Sequence, residues 1–274
     1  MAVARIMVVD RDRETVEQIE SIMDSLGLTQ IVFEPVRNRA IERIREEKFD
    51  AVFFDPAPNA EELRAFVIGV RRDNKRYVPI TVMSRQMQSD EAKACGVNNF
   101  MSKPLDLDDF ASKIKSMRNL TDLITRLQDE HNDFVSRDGV ISKTAFYQIF
   151  MSCIDRADRY GEETYLIFVR IDNIHDLNSF YPEGAAEEIC DKVKKYTVKI
   201  RRLSDIIGRT AVNELCLMIS RPMNKNEPVM AVNRFTDSIM EYADMFVVGD
   251  ARANVSVHMM SIPSGRIIFS KECY

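Results

Sequence analysis

Ala51-Val52-Phe53-Phe54-Asp55 is four apolar residues followed by an acid, with Pro56 behind it. Four residues is strand length rather than helix length, and a run apolar at every position belongs in a sheet covered on both faces. An acid at its end emerges at the carboxyl edge of such a sheet, where parallel α/β folds carry their functional groups. The same pattern lies on either side. Ile6 to Val9 runs into Asp10, Gln30 to Phe33 forms another short run, Ile80 to Met83 runs into Ser84, and Asn99 to Met101 is followed at once by Ser102-Lys103-Pro104.

Between these strands stand segments of helical period. Val16, Ile19, Ile22, Met23 and Leu26 share one face of 14–26, and Gly27 reads as the stop of that helix. Further helices are expected around 40–47, 61–71 and 90–95, and a last one opens near Asp106. Five βα units in succession predict a doubly wound, parallel five-stranded sheet.

From Leu107 the chain has little Gly or Pro until Gly139, and an uninterrupted linker helix is predicted over 107–135. Phe110, Ile114, Met117, Thr121, Ile124, Gln128 and His131 step in fours and threes, beside a stripe of Leu120, Leu123, Leu127 and Phe134. Such a helix is expected to leave an apolar face bare on a small domain and so to make a homodimer; the alternative is packing against its own domains. A second domain begins near Ser136. Its helices are expected at 142–158, 185–199 and 229–242, its strands at 165–171, 214–220 and 255–262, in an α+β arrangement with a mixed sheet. The division is thus 1–118, 107–135 and 136–274.

Composition limits the function classes. A net charge of −5 argues against binding nucleic acid by general electrostatics, and 45% hydrophobic with 30% charged residues argues for packed cores over disorder. No apolar stretch reaches membrane-spanning length, so no membrane insertion is expected. Cys95, Cys153, Cys190, Cys216 and Cys273 are scattered, and His131, His175 and His258 match no metal motif, which points to a cytoplasmic protein with reduced thiols.

Asp10, Asp55, Ser84 and Lys103 all fall at the carboxyl ends of strands or just beyond them. A carboxylate takes a phosphoryl group directly when a divalent cation and a lysine neutralise the transferring charge, and a hydroxyl then holds one phosphoryl oxygen. Val8-Val9-Asp10, Phe54-Asp55, Pro79 to Ser84 and Gly96 to Pro104 closely resemble a two-component receiver domain over residues 3–118. The resemblance implies that Asp55 is the phospho-acceptor, Ser84 the hydroxyl that follows phosphorylation, Lys103 the phosphoryl contact and Phe100 the aromatic switch. It also implies a cis Lys103-Pro104 bond, Mg2+ on Asp10 and Asp55, and a sensor histidine kinase as donor. The family carries two adjacent acids after the first strand. Here Arg11 follows Asp10 and weakens the metal site, with Asp12 one residue on to compensate, and Pro56 to Ala60 departs from the family's loop. The alternative is a receiver held fixed as a docking or dimerisation unit.

Residues 136–262 resemble a GGDEF domain, the family that makes cyclic di-GMP from GTP. Val169 to Asn178 stands for its metal-binding strand and helix, and Asp205 to Leu215 for its signature hairpin. By that resemblance the first metal-binding acid falls on Arg170. The glycine pair falls on Ala211-Val212 and the signature acid on Asn213, with Glu214 and Leu215 retained. Asn178 and Glu187 keep positions that contact the nucleotide. The later phosphate-binding helix is missing, with Gly265-Arg266 as its remnant. Arg202-Leu203-Ser204-Asp205 matches the family's R-x-x-D site for cyclic di-GMP, where Arg202 suits phosphate and guanine and Asp205 the guanine edge; the plain alternative is surface pairing and a capped hairpin.

The expected function is a non-catalytic response regulator whose receiver controls dimerisation or binding of a downstream protein partner through a dead GGDEF-like domain. The alternative is a cyclic di-GMP receptor. Arg170 and Asn213 count against an active cyclase.

Overall fold

The structure is a computed structural model that describes residues 5–26, 30–57, 61–72, 77–129, 138–202, 204–220, 222, 224 and 226–273. Several residues read above lie outside these: Gly27, Pro58 to Ala60, His131, Phe134, Ser136 and Leu203. By internal contacts the chain divides into two units. One takes residues up to 125 with 154–162 and 262–266, and the other takes 126–153, 163–261 and 267–274.

In the first unit the expected parallel sheet is present. Its strands are β1 (Arg5–Val9), β2 (Gln30–Phe33), β3 (Ala51–Phe54), β4 (Ile80–Ser84) and β5 (Asn99–Ser102). All pair in parallel, in the order β2-β1-β3-β4-β5. That order reverses between β1 and β3, and there a doubly wound sheet opens its crevice. The continuous apolar runs are explained by two cores. Met7, Val9, Val52 and Phe54 enter one cluster, and Ile6, Val8, Ala51 and Phe53 enter another. Phe54 stacks on Phe66 at 4.0 Å and Phe53 on Phe110 at 4.7 Å. Helices α1 (Arg13–Leu26), α2 (Arg37–Glu46), α3 (Glu61–Arg71) and α4 (Ser89–Ala94) fill the connections. Helix α2 starts three residues earlier than the periodicity suggests, with Ala40 and Ile44 as its buried residues.

Helix α5 spans Leu107–Gln128, and Asp129 is no longer helical. Phe110, Ile114 and Met117 of its apolar stripe join the core of the first unit with Ile6, Val8 and Phe53.

The second five-stranded sheet runs β12-β11-β6-β8-β7, built from β6 (Thr164–Ile171), β7 (Ile206–Ala211), β8 (Glu214–Ser220), β11 (Val255–Ile262) and β12 (Arg266–Cys273). Strand β8 pairs antiparallel with both β6 and β7. A two-stranded ribbon, β9 (Val247–Val248) with β10 (Ala251–Arg252), stands apart from it. Helices α6 (Lys143–Tyr160), α7 (Ile174–Phe180), α8 (Ala185–Ile200) and α9 (Glu227–Glu241) complete the chain. Ile189 and Val193 of α8 and Val232, Phe235 and Ile239 of α9 share one core with Ile167, Val169, Leu215 and Leu217 of the sheet. Gly265-Arg266 is a correction. It is no helical remnant but the turn, with φ +72° at Gly265, that opens β12. Gly208 in β7 leaves the space that Phe146 of α6 fills, since a Cβ there would meet the Phe146 ring at 2.3 Å.

Candidate functional site

Strand register brings the first site together. Val9 pairs with Phe54, so the next residues, Asp10 and Asp55, leave the sheet side by side, tied by Asp55 N donating to Val9 O at 3.0 Å. Ser84 pairs with Ser102, so Lys103 follows directly, and Lys103 N donates to Ser84 O at 3.1 Å. Lys103 Nζ then donates to Asp10 Oδ2 at 2.7 Å and also to Asp55 Oδ2. The side chains of Lys103 and Asp10 are each 2% exposed and that of Asp55 is 10% exposed. An ammonium between two nearly dry carboxylates interacts far more strongly than the same charges in water.

Ser84 Oγ accepts from Gln86 N and Met87 N, each at 3.2 Å, and so is held at the lip of a cleft of about 470 Å³ that Asp12, Asp55, Arg85 and Lys103 also line. Phe100, in β5, is half-buried against the core that contains Phe54. Lys103-Pro104 is cis. Burial pushes the Asp10 carboxyl above the ordinary carboxylate range, against the pull of its Lys103 hydrogen bond. Asp12 goes the other way: the Thr15 hydroxyl holds it below that range, and Arg85 adds to the effect. The sequence reading missed Arg85, which ion-pairs Asp12 at 3.4 Å and Glu14 at 3.8 Å. Its signal was position alone, a cation immediately after Ser84.

A Mg2+ ion is held by one or two carboxylates with waters completing its octahedron, and those carboxylate oxygens must not already be held by a competing cation. Asp10 Oδ1 accepts from Asp12 N and Oδ2 from Lys103, while Asp55 Oδ1 accepts from Ala57 N and Oδ2 from Lys103. Asp12 turns its oxygens to Glu14 N, Thr15 and Arg85. The position next to Asp10 is Arg11. Among the described residues no three His, Cys, Asp or Glu gather as a metal-holding group. The donor set does not fit the ion.

The N-terminal 43% of the chain is similar in fold to solved receiver domains. The receiver domain of a sensor histidine kinase from Pseudomonas aeruginosa, whose cleft coordinates magnesium, is 20% identical; the match covers 43% of this chain and 98% of that one at a TM-score of 0.37. A response regulator from Thermotoga maritima is 22% identical, over 43% of this chain and 98% of that one, with a TM-score of 0.39. A receiver domain from Methylobacillus flagellatus is 19% identical, over 42% and 99%, with a TM-score of 0.38. No protein-family model and no curated protein matches the chain. No helix among the described residues is long and apolar enough to cross a membrane.

The second unit contains a larger cleft, about 880 Å³, which Asn178, Glu187, Val212, Asn213, Glu214 and Leu215 all line. These are brought together as the sequence suggested, but Asn213 and Glu214 are held by contacts within the protein. Asn213 Nδ2 donates to Ile171 O at 2.7 Å, tying the hairpin to β6. Glu214, only 4% exposed, accepts from Thr210 Oγ1 at 2.7 Å and from Arg126 Nη1 at 2.8 Å. Arg170 pairs with Asp172 at 3.5 Å. Val212 projects into solvent at 57% exposure. Arg209, quoted in the sequence only as part of the hairpin, donates to Ala211 O at 3.3 Å and Val212 O at 2.7 Å and so clasps the turn.

Arg202 and Asp205 do not line that cleft. Asp205 is 7% exposed, its carboxylate accepts from Arg202 N at 3.0 Å, and Asp205 N donates back to Arg202 O at 3.0 Å. Arg201 Nη1 donates to Asp205 O at 2.8 Å, and Arg202 Nη1 pairs with Glu227 at 2.7 Å. The plain alternative, surface pairing with a capped turn, describes this geometry.

Proposed function

We propose that this chain is a non-catalytic response regulator: a phosphoryl group placed on Asp55 alters how the second unit binds a protein partner. The observation that carries the reading is Lys103 bridging Asp10 and Asp55 with Ser84 on the same cleft, a nucleophile, a charge acceptor and a hydroxyl within one small volume. A sensor histidine kinase is the donor class such an acceptor suits. For the second unit, a regulatory rather than catalytic role is supported by Arg170 and Asn213 at positions where nucleotide chemistry requires carboxylates, and by the commitment of Glu214 to Thr210 and Arg126.

The test begins with acetyl phosphate as donor and intact mass as readout, comparing the full chain with Asp55→Asn. The expected result is one phosphoryl adduct on the wild type and none on the variant. Hydrogen exchange of the labelled protein should then change around Ser84 and Phe100. Light scattering separates the two outputs: unchanged mass keeps partner binding, and a doubled mass transfers the role to dimerisation. A wild type that takes no adduct in any ionic condition would sink the reading.

A further inference from the structure

Four cations are placed around Asp55, among the acids Asp10, Asp12, Glu62 and Glu91. Lys103 is already in contact. Arg85 lines the same cleft, and Arg11 and Arg37 border a small recess on the other side with Asp10, Asp55 and Glu62. Against this, the donor set for a divalent ion is incomplete, with an arginine where a second acid would stand and both carboxylates engaged by protein donors.

We propose that Asp55 accepts its phosphoryl group without a divalent cation, with Lys103 and Arg85 supplying the positive charge. The inference rests on the reading of Asp55 as the acceptor. An Asp55 carboxylate oxygen attacks the phosphorus of an acyl phosphate and forms a new P–O bond. The bond from phosphorus to the donor's bridging oxygen breaks, and the carboxylate of the donor leaves with that electron pair. Attack by a carboxylate needs no proton transfer. The product is a mixed anhydride carrying a phosphoryl group whose charge must be met on the spot. Lys103 meets it from inside the sheet edge. Arg85 meets it from the cleft wall, because its present contacts to Asp12 and Glu14 are long and its side chain is 60% exposed, so leaving them costs little. Its guanidinium matches two phosphoryl oxygens at once. Ser84 accepts from two backbone amides and keeps its own proton to donate to the remaining phosphoryl oxygen.

The experiment is phosphorylation of the full chain by acetyl phosphate in EDTA and in Mg2+, followed by intact mass, with Asp55→Asn as the blank. The expected result is an adduct at a rate that EDTA leaves unchanged. Arg85→Ala, an exposed position whose folding is checked by circular dichroism, should slow the EDTA reaction by about tenfold, the loss of one charge-assisted contact. Arg11→Asp, which rebuilds an acid pair, should make the rate depend on Mg2+. An adduct on the wild type only when Mg2+ is present overturns the inference and leaves Asp55 as acceptor. No adduct in either buffer overturns both, and an Arg85→Ala rate equal to wild type in EDTA removes Arg85 from the proposal.

Discussion

Lys103 Nζ lies 2.7 Å from Asp10 Oδ2, and both side chains are 2% exposed. A pair this dry is costly to break from one side, because the surviving charge keeps its desolvation without its partner. Asp55 shares the same ammonium, so removing it orphans two carboxylates at once.

Lys103→Met is therefore expected to lower stability in urea by about 3 kcal/mol, and Asp10→Asn in the same chain to recover part of that loss. Equilibrium unfolding of the two singles and the double closes the cycle. A Lys103→Met loss below about 1 kcal/mol, the range of exposed pairs, would show the triad to be open to water.

Glu214 gives a second stability test. Glu214→Ala leaves the buried Thr210 hydroxyl with only its long contact to the backbone oxygen of residue 214, releases the partly exposed Arg126 to water, and is expected to cost about 1–3 kcal/mol, whereas Glu214→Gln keeps the shape and the Thr210 contact and should cost about 1 kcal/mol. Guanidinium titration followed by circular dichroism measures both. Equal losses would mean that the carboxylate charge, which both variants remove, decides this position.

His258 should make stability depend on pH. It stacks on Phe168 at 4.8 Å, and burial lowers its pKa from the ordinary 6.5. Arg170 and Arg126 push the same way, while Glu214 and Asp172 oppose. A lowered imidazole binds protons more readily in the unfolded chain, so its contribution is whole above the ordinary value and is lost as pH falls from there toward the lowered one. The difference in urea midpoint between wild type and His258→Phe should accordingly shrink or reverse as pH drops from about 7 to about 5.5. A difference that stays flat across that range contradicts the assignment.

For the cyclic di-GMP alternative, calorimetry on the wild type is expected to give no saturable heat, since Arg202 is paired with Glu227 and Asp205 caps its own turn. Glu227→Gln frees the guanidinium and supplies the sharper comparison. Micromolar binding by the wild type that Arg202→Ala abolishes would restore the sensor reading.

How much was legible depended on how local the determining physics was. Strands β1, β3 and β4 could be read because nearly all their residues are buried, and β2 and β5, partly exposed at the sheet edges, because short apolar runs remain in them; Gln30 to Phe33, Glu214 to Ser220 and Val255 to Ile262 fall where their runs begin and end. Asp10, Asp55, Ser84 and Lys103 could be placed because a parallel sheet puts strand ends at one edge. Strand β12 escaped notice. It lies at the end of the sheet order, with Arg266, Ile268 and Ser270 exposed and Ile267 and Phe269 half-buried, too weak an alternation to stand out. Arg126 at Glu214, and Arg85 at Asp12, were invisible for a different reason. Pairing partners 88 or 73 residues apart leave no periodic trace in the chain.

Gly208 and Phe146 remain to be considered together. The ring occupies the volume a side chain at 208 would need, so neither position is free to drift alone. In chains descended from a common ancestor with this one, the pair should change in concert: an alanine or larger residue at 208 accompanied by a smaller one at 146, and an aromatic at 146 only where 208 stays glycine. Natural variation at two sites 62 positions apart would then carry a record of one packing constraint.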